Sequence, residues 1–203
     1  MVASTPTMGE SNVTTEQGSL STTRILGILG MVTSPFLFLS FVGNSFASGD
    51  SNQLGAAFGL VFSIGWFANA VGLYRLGAAG RRLPAKILMG VEIVGTVLAS
   101  IFQVYEFAAP GSDTLLYTIT DIAWPLSMVT LLIIGICAIV ARRLEGWLRF
   151  TPLIAALWLP LGITEMALLS QDAGKIVAGL HTAIGWFLIG YAVFRGGKLT
   201  ARD

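Results

Sequence analysis

The chain has 203 residues, of which 54% are hydrophobic and only 11% charged, and its mean hydropathy is +0.77. Soluble domains carry about a quarter charged residues, so the composition excludes an ordinary water-soluble globule. A net charge of +1 excludes a disordered polyelectrolyte and a nucleic-acid-binding surface, and one cysteine excludes a disulfide framework and multi-cysteine metal centres. What remains is an all-α polytopic membrane bundle whose first partner is the lipid bilayer.

A helix needs roughly 20 mainly apolar residues to cross the hydrocarbon core, because its backbone groups must be paired internally. Six stretches qualify, at 24–46, 54–75, 85–108, 114–141, 150–170 and 174–195, and none alternates as a barrel strand does. Residues 1–23 are polar, rich in Ser and Thr, and without a basic residue before Arg24. They lack the basic start and apolar run of a signal peptide and read as a disordered cytoplasmic tail. Residues 24–195 form a six-helix transmembrane domain with short loops, and 196–203 a short cytoplasmic tail.

Lys and Arg set the orientation, because short cytoplasmic loops retain positive charge. Arg24 precedes the first span, and Arg75, Arg81, Arg82 and Lys86 lie between the second and third. Arg142, Arg143 and Arg149 join the fourth and fifth, and Arg195, Lys198 and Arg202 follow the sixth. Only Lys175 falls on the other side, so both termini are expected in the cytoplasm and the chain in a cell (inner or plasma) membrane.

Two local similarities raise parallel helix-hairpin repeats. Arg75-Leu76, Arg81 and Pro84 recur as Arg143-Leu144, Arg149 and Pro152, and Ile64-Gly65-Trp66-Phe67 with Arg75 recurs as Ile184-Gly185-Trp186-Phe187 with Arg195. Duplication and the ordinary use of Gly, Trp and Arg at membrane boundaries both account for them.

In the third span, Glu92, Thr96, Ala99, Gln103 and Glu106 follow at intervals of three and four, and therefore share one helical face. That face is expected to meet the bundle interior, since an ionisable group at mid-membrane costs about 2.5–3.5 kcal/mol on insertion scales. Glu92 and Asn69 fall at similar depths, roughly 9 Å inside the cytoplasmic boundary, and are expected to hydrogen-bond as an inner polar pair. In the outer half, Glu165 and His181 lie about 7 Å below the boundary, with Gln103 at a comparable level and Glu106 and Asp121 nearer the interface. Trp124 and Pro125 place a bend or a helix start beside Asp121, and Pro160 opens the backbone between Trp158 and Glu165.

Convergence of Glu165, His181, Gln103, Glu106 and Asp121 would make a site able to relay protons, bind a cation or hold a cationic solute. The plainer reading is interhelical hydrogen bonding, which averages about 0.6 kcal/mol per pair in membranes. No catalytic motif and no cofactor are expected. A second haem-ligating histidine, a mid-membrane lysine for a Schiff base, an H-E-x-x-H zinc motif, a G-x-S-x-G elbow and a phosphate-binding glycine loop are all missing. Cys137 lies in an apolar run and reads as packing. Three functional classes follow: a small-solute or ion/proton carrier, a non-catalytic accessory, sensor or assembly subunit with a membrane partner or a second copy, and a lipid-active membrane enzyme.

Overall fold

A computed structural model describes the backbone of residues 10–46 and 53–196 and the side chains of residues 22–42, 53–164, 168–170 and 173–196. The described chain is all-helical: α1 (Glu10–Thr33), α2 (Pro35–Phe46), α3 (Gln53–Leu76), α4 (Leu83–Ala108), α5 (Leu115–Ala141), a 3-10 helix (Gly146–Phe150), α6 (Thr151–Ala156), α7 (Trp158–Leu168) and α8 (Gln171–Gly196). Five segments are long and apolar enough to cross a membrane, the first running through α1 and α2 from Thr22 to Val42. A sixth is obtained when the stretch Gly146–Ala156 and the helix after it, bent by 45°, are taken as one span.

Both interruptions trace to proline. Pro35 has no N–H for the carbonyl of Met31 four residues earlier. The Ser34 hydroxyl supplies a donor instead, at 2.8 Å from that oxygen. Pro160 crowds the carbonyl of Ala156, and α6 ends at Ala156, so the bend falls one turn before the proline, ahead of Trp158 rather than between Trp158 and Glu165. At its other end α1 reaches back to Glu10, into the segment read from the sequence as a polar tail. Extending a formed helix costs far less than nucleating one, so an apolar segment beginning at Arg24 can carry a polar extension. The remainder of the tail, residues 1–9, and residues 197–203 lie outside the described residues.

The helices close into a ring in chain order. The α1–α2 segment packs on α3, α3 on α4, α4 on α5, α5 on α6, and α6 and α7 on α8, which returns to α1 and α2. A direct α3–α8 contact crosses the middle. Leu76 at the end of α3 lies against Gly196 at the end of α8, and this end of the ring holds the basic loops. The α1–α8 crossing brings two backbones into close contact. A Cβ on Gly27 would stand 2.5 Å from the Phe194 nitrogen, and one on Gly190 would stand 2.7 Å from the Met31 nitrogen. Backbones come this near only where both helices carry small residues.

The polar stripe of α4 faces inward as its spacing predicts. Met89, Glu92, Thr96 and Ala99 are buried, while Val91, Val94, Val97 and Val104 are exposed. Large apolar side chains outside and Asn69, Glu92, Thr96 and Ser127 inside invert the pattern of a soluble domain. The two Ile-Gly-Trp-Phe segments also present matching faces. Ile64 and Ile184 are exposed, and Trp66 and Trp186 are buried against each other edge to face at 6.0 Å. The two loop similarities instead differ in backbone, a hydrogen-bonded turn through Gly77 and Gly80 in one and a 3-10 helix in the other. Pro84 and Pro152 nonetheless both sit in the first turn of the following helix.

Gly190→Leu is expected to destabilise the fold by about 1–3 kcal/mol through overpacking at the α1–α8 crossing. Gly90→Ala in α4, where an added Cβ meets nothing within 4 Å, is expected to leave stability unchanged or higher. Unfolding of both detergent-solubilised variants beside the parent measures the difference.

Candidate functional site

Short hairpin loops bring residues equidistant from the turn into register. The α4–α5 loop turns at Gly111, which adopts φ +70°, and Thr114 caps α5 by accepting the Tyr117 N–H at 3.2 Å. Glu106 and Tyr117 flank this turn at similar distances along the chain, and the Tyr117 hydroxyl donates to Glu106 Oε1 at 2.6 Å. Tyr117 is itself held by ring contacts with Phe102 at 5.4 Å and Tyr105 at 6.0 Å.

Glu106, Gln103 and Asp121 line one cavity of about 230 Å³ at the end of the ring opposite the basic loops. Phe102 of α4, Trp124 and Pro125 of α5, and Ser40 and Phe41 of α2 form its other walls, with Gly55 and Ala56 of α3. Three of these residues have specific placements. Gln103 fits over Gly59, where a side chain would collide with its carboxamide oxygen. Ser40 donates to the Gly55 carbonyl at 2.8 Å, which ties α2 to α3 beside the opening. Pro125 lies within α5 and has no N–H for the carbonyl of Asp121, leaving a backbone acceptor next to the exposed Asp121 carboxylate. The helix begins at Leu115, so Asp121 stands within it rather than at its start.

The other members of the expected outer cluster are not among the walls of this cavity. His181 is half-buried, and its Nε2 lies 2.8 Å from the Ile154 carbonyl of α6, a contact that ties α8 to α6. Glu165 belongs to α7, and its side chain lies outside the described residues. No group of three or more His, Cys, Asp or Glu able to hold a metal ion occurs among the described residues.

Behind the cavity the interior is aromatic. Trp124 meets Trp158 at 4.9 Å and Trp66 at 6.0 Å, both edge to face, and Trp158 stacks on Phe41. Trp66 then donates its indole N–H to Glu92 Oε1 at 3.2 Å. The expected Asn69–Glu92 pair does not form. The Asn69 amide nitrogen donates instead to the Trp186 carbonyl at 3.1 Å, and the Asn69 side chain occupies a notch left by Gly30. Depth alone brought the two residues level, but α3 turns Trp66 toward α4 and Asn69 toward α1 and α8. Glu92 Oε2, Asn69 Oδ1 and Trp186 Nε1 are buried without a hydrogen-bond partner among the described residues.

Sequence reasoning missed Tyr117, Trp124 and Phe41. Only the mirror spacing of Glu106 and Tyr117 about a short loop signalled one of them, while the Trp124 and Phe41 contacts depend on how α2, α5 and α7 meet. No protein-family model, curated protein or solved structure matches the chain.

Trp66→Phe is expected to lower stability by about 1–3 kcal/mol, because it removes the donor of a fully buried carboxylate. In a Glu92→Leu background the same change is expected to have a much smaller effect, read from a double-mutant cycle of unfolding free energies.

Proposed function

We propose that this protein is a multi-pass integral membrane protein, basic end in the cytoplasm, that takes a small cationic solute into the cavity at the opposite end and carries it across the bilayer. The membrane setting is supported by the long apolar helices and their exposed apolar faces. The orientation is supported by the eleven basic residues on one side against Lys175 on the other.

One observation carries the solute reading: Gln103, Glu106 and Asp121, three of the five residues expected from the sequence to form an outer cluster, share a single cavity with Phe102, Trp124 and Phe41. Two carboxylates supply negative charge, and among the described residues no Lys or Arg lines the cavity to neutralise it. Aromatic faces add attraction for a cation within about 6 Å of a ring centre, more so where water is thinned. Pockets that take drug-sized ligands run from roughly 300 to 1,000 Å³, so a cavity of about 230 Å³ favours a small ammonium ion over a lipid or a large metabolite. Inward of Trp124 the polar groups continue through Trp66 to Glu92, which supports passage rather than surface binding alone.

Binding of a methylammonium ion, followed by quenching of tryptophan fluorescence, is expected to weaken about tenfold to a hundredfold in Glu106→Gln and in Asp121→Asn. His181→Ala is expected to bind as the parent does. Uptake of the same ion into reconstituted vesicles is expected to fall in step with binding. Undiminished uptake in the Glu106→Gln, Asp121→Asn double variant would sink the assignment.

A further inference from the structure

A second cavity, of about 310 Å³, opens at the basic end between α3 and α4 and is lined by Tyr74, Arg75, Gly77, Gly80, Arg81 and Lys86. We propose that it binds the phosphate of an anionic phospholipid headgroup in the leaflet at that end. This inference rests on the membrane reading and is independent of the cation-carrier reading.

The cleft is built by the loop. Arg75 lies in the last turn of α3. Gly77 at φ +61° and Gly80 at φ +117° then fold the chain back, closed by a Gly80 N–H to Gly77 carbonyl bond of 2.8 Å. Only glycine adopts these backbone angles freely, and the return brings Arg81 and Lys86 beside Arg75. Gly77 has a further role: a Cβ there would stand 3.3 Å from Arg81 Cγ, so the Arg81 stem lies across the turn.

Three cationic side chains share the cleft, no carboxylate among the described residues lines it, and the first turn of α4 contains no acidic residue. Like charges gathered around one cavity repel each other, and an entering anion reverses the sign of that interaction. Guanidinium groups hold phosphate oxygens by paired N–H donors, and lysine adds a point charge. The matching loop after α5 is organised differently, with Arg149 lying over the Phe150 ring at 5.0 Å, so the shared Arg-Leu spacing does not by itself make the cleft.

The surroundings distinguish a lipid from a free anion. Beside the cations, Tyr74 is 43% exposed, and Leu83 and Ile87 on the first turns of α4 are 69% and 59% exposed. A soluble phosphate has no use for this apolar flank, whereas a phospholipid lays its acyl chains along it while its headgroup enters the cleft. Basic pockets between spanning helices on the cytoplasmic side take anionic headgroups in this manner.

The test uses the full-length protein in an uncharged detergent, titrated with short-chain phosphatidylglycerol, phosphatidylcholine of equal chain length, or inorganic phosphate. Phosphatidylglycerol is expected to raise the unfolding temperature above the level reached with phosphatidylcholine, and inorganic phosphate is expected to leave it unchanged. An Arg81→Ala, Lys86→Ala double variant, both positions being exposed, is expected to match the parent in phosphatidylcholine and to bind phosphatidylglycerol about thirty-fold more weakly. Arg195→Ala, at the same end but outside the cleft, is expected to retain the shift. Equal shifts with the two lipids, or a full shift in the double variant, would overturn the headgroup site, and a full shift with inorganic phosphate would reassign it to a soluble anion. Washing membranes at alkaline pH separates the two readings. Release of the chain overturns the membrane reading itself, whereas retention without phosphatidylglycerol preference overturns the headgroup site alone.

Discussion

Trp66 is the point at which most of the ring meets, and the hydrogen bond from its indole to Glu92 determines how the surrounding side chains are arranged. The residue projects from α3, bonds a carboxylate on α4, and touches Trp124 of α5 and Trp186 of α8. Trp124 passes the contact on to Trp158 of α7, and Trp158 in turn stacks on Phe41 of α2 and donates to the Ala178 carbonyl of α8. A buried carboxylate with a fixed donor and a set of large aromatic rings with specific edge-to-face geometry leave little freedom for helices to rotate. An unpaired buried polar atom is expensive, and aromatic pairs gain about 0.5–1.5 kcal/mol beyond area burial only in their preferred orientations.

That constraint explains how polar and small residues are distributed. In the membrane setting proposed above, lipid is as apolar as leucine, so burying more leucine gives helices little reason to associate in it. Association then depends on close backbone packing and on interior polar contacts. Gly27 and Gly190 let α1 and α8 touch, Gly30 admits Asn69, and Gly59 admits Gln103. In each place a small residue on one helix creates room for a backbone or a polar side chain on another. The proline breaks add to this effect. Pro35 and Pro160 divide long helices and let α2 and α7 lean against the cavity and its aromatic floor, and Pro125 leaves a carbonyl acceptor beside Asp121.

Much of the fold is readable along the chain. Apolar length gives the segments, and spacing by three and four gives the buried face of α4 from Met89 through Ala99. The site is only partly readable. Gln103 and Glu106 belong to that same periodic face, and Asp121 follows a short loop, so local geometry already draws these three toward one end. His181 fails this test, because nothing local links α8 to the α4–α5 hairpin, and its ring is taken up by the Ile154 carbonyl. Asn69 and Glu92 show the same limit from the other side. Equal depth in two helices fixes height but not rotation, and rotation decides which pairs touch.

The sequence by itself therefore determined helix identity, the inward face of α4, the concentration of basic residues in alternate loops, and the residue types available for a site. These follow from local periodicity and, in the membrane setting proposed, from the cost of leaving backbone or charge unpaired in an apolar medium. Only the tertiary structure decided that the helices close into a ring around tryptophans and that Trp66, not Asn69, bonds Glu92. It also decided that Gln103, Glu106 and Asp121 share a cavity without His181, and that Arg75, Arg81 and Lys86 share another. Those outcomes depend on the rotation of each helix about its axis, which is set by packing partners distant in the chain and leaves no periodic trace in it.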